Sequence, residues 1–359
     1  MTGTNKNIAF HNNLLEFTDY AYEHENVLPH RYVFVLTNLC NLKCSFCFQE
    51  KKRLEKNMSF DDWISLLEQI PQNARVTLTG GEPLMFPRFL ELFERVVQRV
   101  ACNIISNGLL LTHEIIDKLL EHKNFKVLSI SIDNIGNTVR DVTPKEWERL
   151  KENLAYFKRR KSELGSEAVL DIKTTVLDEN AGELFNIYRY CVEELGCETH
   201  GFQFLKGSYL QHSDKIYDMD KIFETSHAYV YKNFERIKEK FMKVQAYNIS
   251  HTARSFMHPK VGSFIVQDDL HNLHLLNGEA MNYEDFKPCK FPWSSVHINY
   301  DGNLCPCLAV SMGNVREMSL EAIIFGERFK EFKAIIKERG LVEACNRCGW
   351  LKPKDEVVE

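Results

Sequence analysis

Three cysteines near the start of the chain, Cys40, Cys44 and Cys47, sit in the run Leu-Cys-Asn-Leu-Lys-Cys-Ser-Phe-Cys. Three thiolates on one tight loop can hold three irons of a cubane cluster and leave the fourth iron without a protein ligand. An iron with an open position can bind a substrate or cofactor, so this spacing points to chemistry rather than electron storage alone. Phe46, just before the last cysteine, adds an aromatic face to the loop. A zinc loop or three structural thiols are the plainer alternatives.

Further along lies Thr79-Gly-Gly-Glu-Pro83. Gly80 and Gly81 permit close backbone approach to a ligand, and Glu82 supplies a carboxylate that can accept from an ammonium group. Pro83 closes the motif. Ser106-Asn107-Gly108 and Ser131-Ile-Asp133 each end a β-rich run and present small polar groups, although both are also common turn chemistry. Lys173, Thr175 and Gln203 are weaker candidates of the same kind. A second cysteine set follows near the end: Cys289, Cys305, Cys307, Cys345 and Cys348. Within Cys-Pro-Cys, Cys305 cannot easily share a metal with Cys307, and it is the candidate free thiol. Cys102, Cys191 and Cys197 read as small buried hydrophobes.

The first motif and the Gly-Gly-Glu-Pro stretch resemble the signature of the radical S-adenosylmethionine (radical SAM) superfamily. The terminal cysteine set resembles the auxiliary-cluster extension called SPASM, or its shortened form, Twitch. The resemblance implies a [4Fe-4S] cluster on Cys40, Cys44 and Cys47, with S-adenosyl-L-methionine chelated to the open iron. Reductive cleavage of that cofactor would give a 5'-deoxyadenosyl radical that removes hydrogen from an unactivated carbon. Phe46, Gly80, Gly81, Glu82, Pro83, Ser106, Asn107, Ser131 and Asp133 are the expected cofactor-binding residues. The full SPASM pattern continues past the C-x2-C pair, and no cysteine follows Cys348, so the resemblance implies one auxiliary [4Fe-4S] cluster, ligated by Cys289, Cys307, Cys345 and Cys348. Four thiolates would close that cluster, which suits an electron relay better than a Lewis acid. Zinc on the same four thiolates is the alternative.

The elements that must carry these residues alternate. β-rich runs at Tyr32–Leu36, Arg75–Thr79, Asn103–Ser106, Val127–Ile132, Val169–Val176 and Gly201–Leu205 are separated by helical segments. Ser59 with Asp62, and Thr143-Pro144 with Glu146, mark two helix starts. Six strands alternating with helices predict a parallel α/β sheet, which agrees with the partial (β/α)6 barrel implied by the resemblance. The ligand is expected at the carboxyl ends of its strands. The predicted organisation is an N-terminal extension (1–30), the barrel core (31–206), a mostly helical insert (207–286) and a small α+β cysteine-rich auxiliary-cluster domain (287–359). Within the insert, Asp214–Phe241 reads as helical, and His251, Arg254 and His258 are candidate polar contacts. In the last part, Asp301-Gly302 predicts a hairpin turn, and a helix is expected from Ser319 to Arg339, stopped by Gly340.

With 359 residues, 44% hydrophobic and 26% charged, the chain has ordinary globular composition. Its net charge of -5 includes no basic block suited to nucleic acid, and no run is long enough to span a membrane. Eleven cysteines without a signal-like N-terminus predict a cytoplasmic, cysteine-ligating protein. The leading expectation is an oxidoreductase acting on a small polar molecule such as a sugar, aminocyclitol or nucleotide-sugar, with the auxiliary cluster accepting an electron. A flavodoxin or ferredoxin-type partner would supply the first electron. The alternatives are an epimerase using Cys305 as hydrogen donor, a maturase of a ribosomal peptide, and a zinc-binding interaction module.

Overall fold

The structure, a computed structural model, describes residues 6–24, 26–47, 49, 57–211, 213–224, 229–251, 256, 257, 277, 282–352 and 354. Six parallel strands form its centre: β1 (Arg31–Val35), β2 (Arg75–Thr79), β3 (Ala101–Ser106), β4 (Phe125–Ser131), β5 (Val169–Val176) and β6 (Thr199–Phe204). Helices alternate with them: α2 (Phe60–Gln69), α3 (Phe89–Arg99), α4 (His113–Leu120), α5 (Pro144–Leu164) and α6 (Leu184–Glu193). The two anticipated capping boxes are present. Ser59 and Asp62 exchange side-chain and backbone hydrogen bonds at the start of α2, and Thr143 and Glu146 do so at α5.

Each strand buries one face under these helices. Phe34, Leu78, Ile104, Ile130 and Ile172 are buried on that side, and the Phe34 ring lies 4.7 Å from Trp63 of α2. A fully buried side chain of this size contributes about 2–3 kcal/mol, so the helix layer holds the sheet firmly. The alternate positions form the opposite face, which is richer in polar residues. Asp171 there is fully buried, and its oxygens accept from Ser129 Oγ at 2.6 Å and Thr199 Oγ1 at 2.7 Å, with Lys173 Nζ at 3.0 Å.

Several elements depart from expectation. The first 30 residues include a helix, α1 (Lys6–Glu23), held to the start of the cysteine-rich region by Thr18 Oγ1 and Ser294 Oγ at 2.6 Å. Asp214–Phe241 is not one helix: a 3-10 turn covers Met219–Phe223, and α7 runs from Phe234 to Ser250. The backbone before that turn is engaged elsewhere, with Ala309 N donating to Leu210 O at 2.6 Å and Tyr217 N to Ala309 O at 2.8 Å. A short strand β7 (Phe256–Met257) extends the sheet beyond β6. The terminal helix is divided into α8 (Leu320–Ile324) and α9 (Glu327–Arg339). Gly326 is extended between them and caps α9, where a Cβ would meet Ala322 O at 2.6 Å. Ser319 and Gly340 do begin and end the pair.

The hairpin turns at Gly302 (φ +88°), joining β8 (Ser295–Ile298) to β9 (Asn303–Cys305), with β10 (Gly313–Asn314) at the outer edge. β8 pairs in parallel with β1, Arg31 opposite Ser295 and Phe34 opposite Ile298. The cysteine-rich end therefore continues the barrel sheet rather than forming a separate one.

The ends of β1 and β2 approach each other unusually closely. Gly81 N donates to Thr37 O and Glu82 N to Leu39 O, each at 2.7 Å. A Cβ on Gly81 would lie 2.1 Å from Leu39 O, and one on Gly80 would lie 2.7 Å from Thr37 O. The two glycines thus serve backbone contact within the protein. Gly81→Ala should force the segment before Cys40 away and cost about 1–3 kcal/mol. A lower Tm and weaker iron retention by the first cysteine loop, measured after anaerobic reconstitution, are the expected results.

Candidate active site

Glu82 joins the ends of β2 and β3 beside the first cysteine loop. It is fully buried, and its Oε1 accepts from Ser106 Oγ at 2.8 Å and from Leu84 N at 3.2 Å. Its Oε2 accepts from Asn107 N at 2.8 Å. Burial pushes the carboxyl pKa up, and these three donors oppose the shift. Pro83 opens the 3-10 turn Pro83–Met85, for which Glu82 is the cap. Asn107 continues the connection: its Nδ2 donates to Asn41 Oδ1 at 2.8 Å and lies 3.9 Å from Cys40 Sγ. Glu82, Ser106 and Asn107 are therefore brought together around the cysteine loop.

Cys40, Cys44 and Cys47 are all partly exposed, on a turn closed by Cys47 N donating to Cys44 O at 3.2 Å. Two donors besides Asn107 reach the sulfurs. Leu42 N lies 3.4 Å from Cys40 Sγ, and Arg140 Nη1 lies 3.9 Å from Cys44 Sγ. Donors directed at sulfur stabilise thiolates, so Cys40 and Cys44, with Cys47 on the same turn, are a donor set of the kind an iron–sulfur cluster takes.

Arg140 was not among the residues expected from sequence. It lies on a 3-10 turn, Thr138–Arg140, and its Nε is 2.7 Å from Asp133 Oδ2. Its guanidinium is also 5.3 Å from the centre of the Phe46 ring. Asp133 is fully buried and accepts from Thr175 N at 2.6 Å; burial raises its pKa, and Arg140 acts against that rise. Asn137 (φ +52°) shapes the turn, accepting from Asp133 N and donating to Ser131 O, each at 3.0 Å. A lone arginine in a β-to-α connection carries no spacing signal, which is why the motif reading passed over it.

Ser131 is partly exposed, as are Val35, Thr79, Lys173 and Thr175, while Gln203 is exposed. Strand register places them toward the carboxyl ends of β1, β2, β4, β5 and β6 on the face away from the helices. His251 stacks on Tyr247 with ring centres 4.0 Å apart, at the end of α7. Arg254 and His258 lie outside the described residues.

In the cysteine-rich end, Cys289, Cys307, Cys345 and Cys348 face one another closely enough for their charges to interact. Burial raises the pKa of each thiol, Cys289 to about 12, and neighbouring cysteines raise those of Cys289, Cys307 and Cys345 further. These shifts keep the four groups as neutral thiols on their own, and four cysteines gathered in one place are a donor set of the kind that iron–sulfur clusters or zinc take. Cys305 is 5% exposed and opposite His297, and burial followed by Asp301 raises its pKa without a contribution from the other thiols. Lys206, immediately after β6, lies near enough to Cys348 and Cys47 for charge to act between them. Burial depresses its ammonium pKa, opposed by Cys348 and then Cys47.

A parallel barrel with a three-cysteine loop at its carboxyl edge and four clustered thiols beyond it defines a radical SAM protein with an auxiliary iron–sulfur domain. The chain belongs to that class. Residues 34–191 match the Radical SAM superfamily, and residues 289–349 match SPASM, an iron-sulfur cluster-binding domain. These domains imply S-adenosylmethionine, a [4Fe-4S] cluster and auxiliary iron–sulfur chemistry.

Among characterised proteins, the chain is 30% identical over 173 residues to the sporulation killing factor maturation protein SkfB of Bacillus subtilis, covering 46% of this chain and 40% of SkfB. It is 25% identical over 358 residues to the tungsten-containing aldehyde ferredoxin oxidoreductase cofactor-modifying protein of Pyrococcus furiosus, covering 89% and 87% of the two chains. The fold resembles that of Streptococcus suis SuiB, solved with its precursor peptide SuiA, at TM-score 0.60 and 16% identity, covering 88% of this chain and 69% of SuiB. The chain thus spans less than half the length of SkfB. No helix among the described residues is long and apolar enough to cross a membrane.

Arg140→Met should leave the buried Asp133 charge uncompensated and destabilise the protein by about 3–5 kcal/mol. Adding Asp133→Asn should recover much of that loss, and thermal unfolding of the single and double variants measures it. Iron analysis tests the cysteine assignment: Cys348→Ala should lower iron per chain, whereas Cys305→Ala should leave it unchanged.

Proposed function

We propose that this radical SAM enzyme modifies a peptide lying along the carboxyl edge of its sheet. The carrying observation is the length of the accessible strip from Val35 to Gln203. It follows the curve of the sheet across six strands, a path of roughly 24 Å at about 4.8 Å per strand spacing. An extended peptide of about seven residues spans that distance at roughly 3.3 Å per residue, whereas a single sugar does not. The strip mixes polar Thr79, Ser131, Lys173, Thr175 and Gln203 with apolar Val35. Such a surface can take backbone amides together with side chains of varied character.

The named relatives support the same reading. SkfB is a maturation protein, and SuiB has been solved with a precursor peptide. They favour the peptide alternative over the small-metabolite oxidation first expected. The Pyrococcus furiosus relative, a cofactor-modifying protein, keeps modification of another enzyme's cofactor as the second reading because the match spans most of both chains.

When bound, S-adenosylmethionine and the three-thiol cluster supply the one-electron chemistry that opens an unactivated C–H bond. The chain's part in this reading is placement and charge. Cys40, Cys44 and Cys47 hold the first cluster, and Glu82, Ser106 and Asn107 hold the loop and strand ends beside it. Phe46, Gly80, Gly81, Pro83, Ser131 and Asp133 border the cofactor. Cys289, Cys307, Cys345 and Cys348 hold the auxiliary cluster, and a flavodoxin or ferredoxin-type donor delivers the electron. Cys305 is retained as a candidate hydrogen donor for an epimerising version of the reaction.

The test is anaerobic incubation of reconstituted enzyme with S-adenosylmethionine, reductant and deuterated short peptides encoded beside its gene. Deuterium appearing in 5'-deoxyadenosine, with a matching mass change in the peptide, is expected. Deuterium transfer from sugars or nucleotide-sugars but from no peptide would overturn the proposal.

A further inference from the structure

The four terminal thiols come from three separate stretches, around Cys289, Cys307 and Cys345–Cys348, so something must set the distances between them. The segment immediately after β6 does this. It lies outside both cysteine motifs and between the two matched domains.

Gln211 is its centre. The side chain is 5% exposed, and its Nε2 donates to Ala344 O at 2.8 Å and to Asn346 O at 2.7 Å. These two carbonyls flank Cys345. The Gln211 backbone forms an antiparallel bridge with Leu308, the neighbour of Cys307. Ala309 N donating to Leu210 O at 2.6 Å continues that pairing. One residue therefore grips the Cys307 stretch through its backbone and the Cys345–Cys348 loop through its side chain.

Other contacts bring the loop onto the same segment. A Cβ on Gly207 would lie 2.5 Å from Asn346 O, so only glycine permits the observed approach. Arg347 (φ +54°) extends Nη1 to 3.5 Å from Leu205 O and sits 5.3 Å from the Tyr231 ring. Within the loop, Cys348 N donates to Cys345 O at 2.9 Å, so displacing either carbonyl that Gln211 holds displaces both cysteines.

We propose that Gln211 is a positioning residue for the auxiliary-cluster site, setting the separation between Cys307 and the Cys345–Cys348 pair. This inference rests on reading those four thiols as a cluster site. The side chain suits the task because a primary amide carries two hydrogens on one nitrogen and can satisfy two carbonyls at once. Glutamate has the same shape and, when ionised, only acceptors, so Gln211→Glu places a carboxylate oxygen against two carbonyl oxygens. Gln211→Leu keeps similar volume and removes the donors without adding charge.

The experiment compares wild type, Gln211→Glu, Gln211→Leu and Cys348→Ala after anaerobic reconstitution. Iron and sulfide per chain are measured, together with electron paramagnetic resonance of the reduced clusters and resistance of each signal to a chelator. In both Gln211 variants the first-cluster signal and its response to S-adenosylmethionine should persist. The auxiliary signal should be lost at about 10–100-fold lower chelator, the usual effect of removing a partner that orients a ligand. Auxiliary signals matching wild type in both Gln211 variants, while Cys348→Ala loses its signal, would overturn the role of Gln211 alone. Full iron and both signals retained in Cys348→Ala would overturn the four-thiol reading and the inference with it. Loss of both clusters in both Gln211 variants would replace local positioning with a general role in folding.

Discussion

The buried Glu82 carboxylate is the constraint on which the first site depends. It must be held by donors, because an isolated ionised group in such a place is costly. The donors available, Ser106 Oγ and the amides of Asn107 and Leu84, belong to the end of β3 and to the turn after β2. Satisfying the carboxylate therefore locks two neighbouring strand ends into one arrangement. The Glu82 amide meanwhile donates to Leu39 O, which fixes the entry to the cysteine loop. Only glycines at 80 and 81 let the two chain segments meet at that distance. One buried carboxylate and two missing Cβ atoms thus fix the backbone at Thr37 and Leu39, just before Cys40.

A second constraint joins the two cysteine sets. Parallel pairing of β8 with β1 attaches the terminal region to the open side of the barrel, next to the strand that feeds the first loop. At the other side, the chain leaving β6 folds back across the Cys345–Cys348 loop. Lys206 lies on that return and responds to the charges of both Cys47 and Cys348. The arrangement follows from topology: the first and last strands of the core each carry a connection to the terminal region, so its thiols are drawn toward the carboxyl edge of the sheet.

Much of this was legible in the sequence because it depends on local rules. All six core strands and both capping boxes follow from alternation, β-rich runs and S/T-x-x-D/E spacing. The expectation that Cys289, Cys307, Cys345 and Cys348 belong together comes from the resemblance to SPASM, and their thiols do lie near enough for their charges to interact. What stayed hidden depends on partners far along the chain. Asp214–Phe241 has helical composition, but part of it extends because its backbone pairs with residues near 309. The split between α8 and α9 turns on one glycine within a run that otherwise favours helix. Arg140 and Gln211 belong to no motif; their importance comes from the buried oxygens and sulfurs that the fold brings to them.

The two hidden residues show how the same problem is solved at each cysteine set. A group of thiolates gathered for a cluster is self-repelling, and loops long enough to present three or four of them are intrinsically loose. At the first set the remedy is charge: Arg140 lies between buried Asp133 and Cys44, so the carboxylate orients the guanidinium and the guanidinium favours the thiolate. At the second set the remedy is mainly backbone placement: Gln211 donates to the carbonyls on either side of Cys345, and Lys206 on the same segment lies near enough to Cys348 for their charges to interact. Both remedies come from far along the chain: Arg140 is 96 residues from Cys44 and Gln211 is 133 residues from Ala344, so each cysteine set takes its spacing from the folded sheet rather than from its own loop.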